Sequence, residues 1–187
     1  GLPKGCFQTC LSWMLTPRTI PSVELTEQPL QKVRIVTGIG LPASFPSAKS
    51  SFAVPANTSV KILLDNGVLT NAYPVLHFSK GKDADIKLGY AEALFIDEGK
   101  NKDWKNQNKK GNRNEVEGKR FVGVKDEIIA DGSNGQIFTS LSWRTYRYMQ
   151  LEIKTADEAL TINDLYGIFT GYPFELKAKF NTDNDTL

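Results

Sequence analysis

The side chains best suited to binding chemistry lie in one run, residues 142–155. Successive side chains of a β-strand point to opposite faces, so this run has two faces if it is a strand. One face is mostly apolar and would line a core: Trp143, Thr145, Arg147, Met149, Leu151 and Ile153. The other is aromatic and hydrogen-bonding: Arg144, Tyr146, Tyr148, Gln150, Glu152 and Lys154.

The second face has two interpretations. As a carbohydrate platform, it would stack the rings of Tyr146 and Tyr148 on sugar and offer Arg144 and Gln150 to hydroxyl groups. Alternatively, another β-layer, an arm or a further domain covers it. Both interpretations make these four residues candidates for a carbohydrate-binding or interdomain site.

Catalytic signatures are missing from the sequence. It has no P-loop, dinucleotide fingerprint, nucleophile elbow or metalloprotease helix. The one histidine, His77, lies inside a predicted strand without a nucleophile motif, so we expect a structural role. A glycosidase needs two carboxylates held across one bond, which spacing along a strand does not establish. Glu92 is the acid most expected to be partly buried, with an arginine such as Arg147 as its partner.

The cysteines leave the redox state and the compartment open. Cys6 and Cys10 could remain thiols, form a local disulfide or contribute to a metal site. With a single histidine in the chain, a tetrahedral zinc site would need further ligands, so we predict no metal and no cofactor.

Short strands separated by turn residues predict the fold class. The expected strands cover residues 60–65, 73–79, 84–94, 121–130, 135–141, 143–155, 160–170 and 174–180. The alternative for residues 161–166 is a turn of helix. Turn residues such as Asp65-Asn66-Gly67 separate the strands. The pattern predicts an all-β fold, an antiparallel β-sandwich of jelly-roll or concanavalin-like type.

Proline and polar residues divide the chain further. Residues 1–50 contain much of the proline and predict an extended N-terminal arm with one strand at Lys32–Thr37. Residues 51–187 would form the sandwich, interrupted by a long polar loop at residues 97–120. Trp104 and Arg113 in this loop are further candidates for a carbohydrate or interdomain contact.

Composition excludes some partners. The 187 residues carry a net charge of +2, with 40% hydrophobic and 10% aromatic residues, so we expect no nucleic-acid partner. No apolar run approaches the length needed to cross a bilayer. The sequence begins at Gly1 without an initiator methionine, and we expect an excised fragment or a processed chain.

Several motifs in this order resemble the bacterial α-L-rhamnosidases, from about Pro17 to the C-terminus. They are Pro17-Arg18-Thr19-Ile20-Pro21, Leu63-Leu64-Asp65-Asn66-Gly67, Tyr90-Ala91-Glu92-Ala93-Leu94-Phe95, Lys110-Gly111-Asn112-Arg113-Asn114-Glu115, the run from Trp143 to Leu151, and Thr170-Gly171-Tyr172-Pro173-Phe174.

The resemblance implies a particular role. In that family these motifs belong to a concanavalin-like β-sandwich that precedes a catalytic (α/α)6 barrel, whose acids hydrolyse the glycoside with inversion. The resemblance therefore implies a non-catalytic module that supports the barrel and lines its substrate cleft, with no catalytic residue of its own. The alternative is an autonomous, lectin-like module for rhamnose-containing oligosaccharide. A periplasmic or secreted parent would suit the family, although these residues do not show the compartment.

Overall fold

The computed structural model describes residues 17–96, 109–175 and 177–184, and the strands of this part account for all of its regular structure. Cys6, Cys10 and Trp104 lie outside the described residues. The strands are β1 (Glu24–Pro29), β2 (Lys32–Thr37), β3 (Phe52–Val54), β4 (Ser59–Lys80), β5 (Asp85–Ala91), β6 (Phe95–Ile96), β7 (Lys119–Arg120), β8 (Val124–Ile129), β9 (Gln136–Thr139), β10 (Arg144–Lys154) and β11 (Leu160–Gly171).

The fold is an all-β antiparallel sandwich, and the long strand β4 belongs to both of its layers. The first part of β4, residues 59–65, pairs with β2 and β10. The last part, residues 72–80, pairs with β11 and β9. Pairing of β10 with β5, and of β5 with β8, completes the first layer in the order β2-β4-β10-β5-β8. The second layer is β9-β4-β11, with β1 and β3 also paired to β11.

A bulge in β4 lets the strand change layers. Tyr146 pairs with Thr70 and Tyr148 pairs with Asp65, so residues 66–69 of β4 lie opposite Arg147 alone. Gly67 supplies the positive φ of 82° that this bend uses, and its N–H donates to the Asp65 carboxylate at 2.8 Å. Extra residues on one strand bend and twist it locally. The turn predicted at Asp65-Asn66-Gly67 is therefore wrong: the segment is a bulge inside one strand.

Apolar side chains from both layers form one core. The first layer contributes side chains from its three central strands, and the second contributes side chains from β3, the end of β4 and β11. The larger members are Ile62, Leu64, Met149, Leu151, Ile153, Ile86, Leu88, Phe52, Leu76, Phe78, Leu160, Ile162 and Leu165.

The register shift in β10 corrects the predicted alternation. Met149, Leu151 and Ile153 face the core, as expected. Beyond the shift at Arg147 the two faces exchange, because the bulge changes which side each residue presents. Tyr146 consequently joins the core, whereas Trp143, predicted to be buried, is 56% exposed.

Other local predictions also need correction. Residues 161–166 belong to strand β11, with a register shift between Ile162 and Asp164, so the helical-turn alternative is wrong. The strand predicted at 174–180 is absent from the described residues of that range. Residues 17–50 contain two strands where one was predicted. Strand β1 pairs with β11, and strand β2 pairs with β4.

The chain divides into two compact units. One is Leu25–Gly171, which contains the sandwich core. The other includes the described residues 17–24, 172–175 and 177–184, and in it the ring centroids of Tyr172 and Phe174 are 4.8 Å apart. The described residues include no helix that is long and apolar enough to cross a membrane.

Candidate functional site

The outer face of the first layer brings the chemically interesting side chains together in regular rows. One row runs across the five strands through Ile35, Leu63, Gln150, Gly89 and Lys125. The next row toward the strand ends runs through Thr37, Lys61, Glu152, Lys87 and Glu127. On the other side of the first row, Tyr148 pairs with Asp65 and Ala91. The face thus has an Asp65 end and a Glu152 end.

The Asp65 end is closed by ion pairs. The Asp65 carboxylate is fully buried, and it accepts hydrogen bonds from Arg34 at 2.8 Å and from Arg147 at 3.1 Å. Both arginines also donate to Asn114, Arg34 to its backbone carbonyl and Arg147 to its side-chain oxygen. One carboxylate therefore joins β2, β4, β10 and the loop that contains Asn114.

The environment of Asp65 favours its charged form. Burial alone would raise the pKa of this carboxyl group. Hydrogen bonds from Arg147, the Gly67 amide and Arg34 outweigh burial, so the pKa of Asp65 lies below its ordinary value of 3.8. The hydrogen bond that Arg147 donates to Asp65 in turn raises the pKa of Arg147.

Residues 109–118 form a cover over this end. The Tyr148 hydroxyl donates to the Arg113 carbonyl at 2.7 Å, and the Tyr148 ring packs with Leu63, Leu94 and Val116. Lys119 fastens the cover because its ammonium group donates to backbone carbonyls within it, those of Lys110 and Asn112, and pairs with Glu115.

The Glu152 end is open. A groove of about 480 Å³ lies beside the cover, and we call it the outer groove. Its lining is Ile35, Lys61, Leu63, Leu94, Lys119, Arg120, Phe121, Lys125, Gln150 and Glu152. A second cavity of about 390 Å³ shares Lys61 and Glu152 with it and continues toward Asp85 and Lys154. Volumes of this size are those of small-ligand sites.

Glu152 is the acid of the outer groove. Its carboxylate pairs with Lys125 at 2.9 Å and accepts a hydrogen bond from the Gln150 amide. Burial pushes its pKa up, but the hydrogen bond and charge of Lys125, with Gln150 and Lys61, hold the pKa below its ordinary value. Glu152 is thus an anion held among cations.

The four residues of the predicted carbohydrate platform lie in three different environments. The rings of Tyr146 and Tyr148 are both fully buried, so they contact protein and leave no face for stacking on sugar. Gln150 is 8% exposed and lies at the wall of the outer groove. Arg144 leaves this face and forms an ion pair with Asp126 at 2.6 Å.

Arg113 and Glu92 belong to the cover and its attachment. Arg113 is exposed, and its backbone carbonyl binds Tyr148. Glu92 follows the end of β5 and pairs with Lys110 at 3.2 Å. The predicted arginine partner for Glu92, such as Arg147, is therefore wrong, because Glu92 is exposed and pairs with a lysine, whereas Arg147 binds Asp65.

No catalytic arrangement is evident in the part of the chain that the structure describes. His77 stacks on Tyr166 with ring centroids 5.9 Å apart. The described residues contain no group of histidine, cysteine and acidic side chains able to hold a metal ion. The predicted structural role of His77 fits this stacking.

Sequence reasoning missed Asp65 and the outer groove. The sequence places Asp65 both at the end of the predicted strand 60–65 and in a predicted turn, and neither position indicates a buried carboxylate paired with arginines. Lys61, Lys125 and Glu152 looked like ordinary solvent-facing charges, and only strand order places them in adjacent rows. Gly89 offered one signal: a strand glycine marks a close approach, and a Cβ there would lie 2.7 Å from the Phe121 ring.

Four of the six motifs that carry the family resemblance meet at the closed end of the face. Leu63 to Gly67 supplies Asp65, and the run from Trp143 to Leu151 supplies Arg147 and Tyr148. The segment Lys110 to Glu115 supplies the cover, and Glu92 to Phe95 lies against it. Four segments distant in sequence therefore form one structural unit.

Comparisons with known proteins show likeness in fold. No protein-family model matches the chain, and its sequence matches no curated protein. It is similar to a GH78 family rhamnosidase of Bacillus sp. GL1, with a TM-score of 0.53 and 14% identity over 78% of this chain. It is also similar to a rhamnosidase from Klebsiella oxytoca solved with rhamnose bound, with a TM-score of 0.51 and 12% identity over 80% of this chain.

The matched region is a minor part of those enzymes. This chain covers 14% of the Bacillus protein and 30% of the Klebsiella protein. A chitosan-binding module from the chitosanase/glucanase of Paenibacillus sp. IK-5 gives a TM-score of 0.44 at 11% identity, covering 78% of this chain and 99% of that module. At these identities the likeness is one of fold: this chain has a β-sandwich of the kind present within rhamnosidases.

Proposed function

We propose that this chain is a non-catalytic β-sandwich module of a glycoside hydrolase related to the α-L-rhamnosidases. In this proposal a separate (α/α)6 barrel of the same parent protein carries the catalytic acids and inverts the anomeric centre. The module supports that barrel and lines the approach to its substrate cleft, in a parent that works in the periplasm or outside the cell.

The closed unit around Asp65 is the observation that carries the proposal. Four of the six resemblance motifs converge on a carboxylate that is buried and paired with Arg34 and Arg147. A general acid needs a raised pKa and a nucleophile needs access to substrate, whereas Asp65 has a lowered pKa and no exposed surface. A unit of this kind fixes strands and a loop in place, which is what a support requires.

The surface at β8 supports the same interpretation. Within the described strands, β8 ends the first layer and pairs only with β5. Val122, just before β8, and Val124 and Ile129 within it are between 42% and 66% exposed. An open edge with apolar side chains is a surface that contact with another domain would cover.

Activity measurements test the proposal. Expression of the 187-residue chain and of its complete reading frame allows each to be assayed with a chromogenic α-L-rhamnoside. We expect no turnover by the chain alone and turnover by the longer protein. Asp65→Asn in the longer protein should shorten the half-life of its activity on heating, since the support loses its central ion pairs.

Asp157→Asn is the matched control, because it removes an exposed carboxylate from the sandwich at residue 157. It should leave the half-life unchanged. Hydrolysis by the 187-residue chain alone would refute the non-catalytic role. Equal half-lives for the two variants would refute the supporting role.

A further inference from the structure

We propose that the outer groove binds a saccharide that carries a carboxylate, such as a uronic acid residue of an acidic glycan. The choice of a saccharide rests on the proposed function, whereas the choice of an anionic one rests on the groove itself. This role uses the open end of the face, which the closed unit around Asp65 leaves unexplained.

Charge is the first argument. The lining contains the cations Lys61, Lys119, Arg120 and Lys125 and the single acid Glu152. The Lys119 side chain is 6% exposed, and its ammonium group donates to backbone carbonyls of the cover and pairs with Glu115, so we assign the direct contact to Lys61 and Lys125. Lys61 and Lys125 flank Glu152, whose one charge does not balance theirs. A groove with an excess of one charge attracts ligands of the opposite charge.

Shape is the second argument. Gly89 has no side chain, and the Phe121 ring occupies the space above it, so that a Cβ would meet this ring. Phe121 thereby forms an aromatic wall, and Leu63 and Ile35 add apolar surface in the same row. An apolar and aromatic lining with a few polar groups is typical of small-ligand sites. A sugar ring can pack its apolar C–H groups against this wall, whereas a phosphate group has no apolar surface to do so.

Hydrogen bonding is the third argument. Glu152 accepts hydrogen bonds and is 26% exposed, so a sugar hydroxyl can donate to it. Lys61 and Lys125 have rotatable ammonium groups that can pair with a ligand carboxylate. The groove therefore offers an acceptor for hydroxyls, donors for a carboxylate and a wall for the ring.

Titration of the 187-residue chain tests the proposal. The probes are trigalacturonate and the neutral trisaccharide obtained by reducing its carboxyl groups, each followed by calorimetry and by amide shifts in NMR spectra. We expect saturable binding of trigalacturonate that is at least tenfold tighter than that of the neutral form. Shifts should concentrate at Lys61, Lys125 and Glu152, and affinity should fall as salt is raised.

Variants separate the groove from general surface charge. Lys61→Gln with Lys125→Gln should weaken trigalacturonate binding at least tenfold while the thermal midpoint changes little. Lys49→Gln removes the same type of charge from an exposed position outside the groove and should bind like the unmodified chain.

Three results would overturn the proposal. These are no binding at millimolar trigalacturonate, an equal effect of Lys49→Gln, or equal affinity for inorganic phosphate, oligothymidylate or polyglutamate. The last result would make the groove a general anion surface. None of them bears on rhamnoside turnover or on the heat-stability comparison, so failure here is distinguishable from failure of the proposed function.

Discussion

Asp65 and Glu152 lie on neighbouring strands and on the same outer face, yet their surroundings differ. Asp65 has no exposed surface and is bound by two arginines and a backbone amide. Glu152 is 26% exposed and is bound by Lys125 and Gln150. Both have pKa values below the ordinary range, so charge state alone does not distinguish them.

The difference lies in what else each environment can bind. Around Asp65 every strong donor is directed to a protein acceptor, including Arg34 and Arg147 toward Asn114. Around Glu152, Lys125 pairs with the carboxylate at a partly exposed position and Lys61 is exposed beside it, so a ligand can reach both ammonium groups. The contacts around Asp65 stabilise the fold, whereas those around Glu152 leave charged groups accessible to a ligand.

The largest expected effect comes from Asp65→Asn. The amide keeps the size and an acceptor for Gly67 but leaves Arg34 and Arg147 without a carboxylate. Breaking a buried ion pair by removing one partner costs about 3 kcal/mol or more. We therefore expect the free energy of unfolding to fall by this amount, seen as a lower urea midpoint in unfolding followed by circular dichroism.

Asp157→Asn again provides the control, because its carboxylate is exposed. A surface change of this kind alters the free energy of unfolding by about 0.5 kcal/mol or less. If Asp65→Asn were equally mild, the closed unit would not be a source of stability and the comparison would fail.

Acid should reveal the same unit. Since the folded-state pKa of Asp65 lies below 3.8, the unfolded chain binds more protons in the range between the two pKa values. The contribution of Asp65 is thus fully present above the unfolded pKa and is lost as pH falls through the folded pKa. Urea unfolding from pH 6 to pH 2 should show a smaller acid-dependent loss in Asp65→Asn than in the unmodified chain; parallel curves would contradict this.

Two tyrosines provide a finer comparison. Tyr148→Phe removes the hydrogen bond to the Arg113 carbonyl and should lower the free energy of unfolding by about 1 kcal/mol. Tyr146→Phe should have almost no effect, because the buried Tyr146 hydroxyl has no hydrogen-bond partner in the described structure. Denaturant titrations of both variants give the difference directly, and equal values would show that Tyr148 does not hold the cover.

The sequence predicts the strands better than it predicts their faces. The alternation of Met149, Leu151 and Ile153 correctly indicates the core side of β10. At the bulge opposite Arg147, the core-facing and outward-facing positions of β10 exchange. The sequence of β10 does not indicate this change. The signal was on the partner strand, where Asn66-Gly67 permits a bend but equally suits a hairpin turn. Local residue types do not decide between these two structures.

The candidate site was predicted in part for the same reason. Gln150 was identified and does line the outer groove, whereas Tyr146 and Tyr148 are buried. An aromatic side chain on the outer side of a strand has the same sequence signature whether a loop covers it or not. The cover comes from residues 109–118, and its placement depends on long-range pairing of Arg34 and Arg147 with Asn114.

Lys125→Gln is expected to change stability only slightly. Lys125 and Glu152 are 36% and 26% exposed, so water and salt screen their attraction and the pair contributes about 0.5 kcal/mol. We expect the urea midpoint to change by less than in Tyr148→Phe, and the change to vanish in high salt. The same substitution should weaken trigalacturonate binding severalfold, because the lost ammonium faces the ligand. A large loss of stability would mean that the Lys125–Glu152 pair is structural, like the ion pairs of Asp65. A small loss of stability with a clear loss of binding would show that the two ends of the face differ in function.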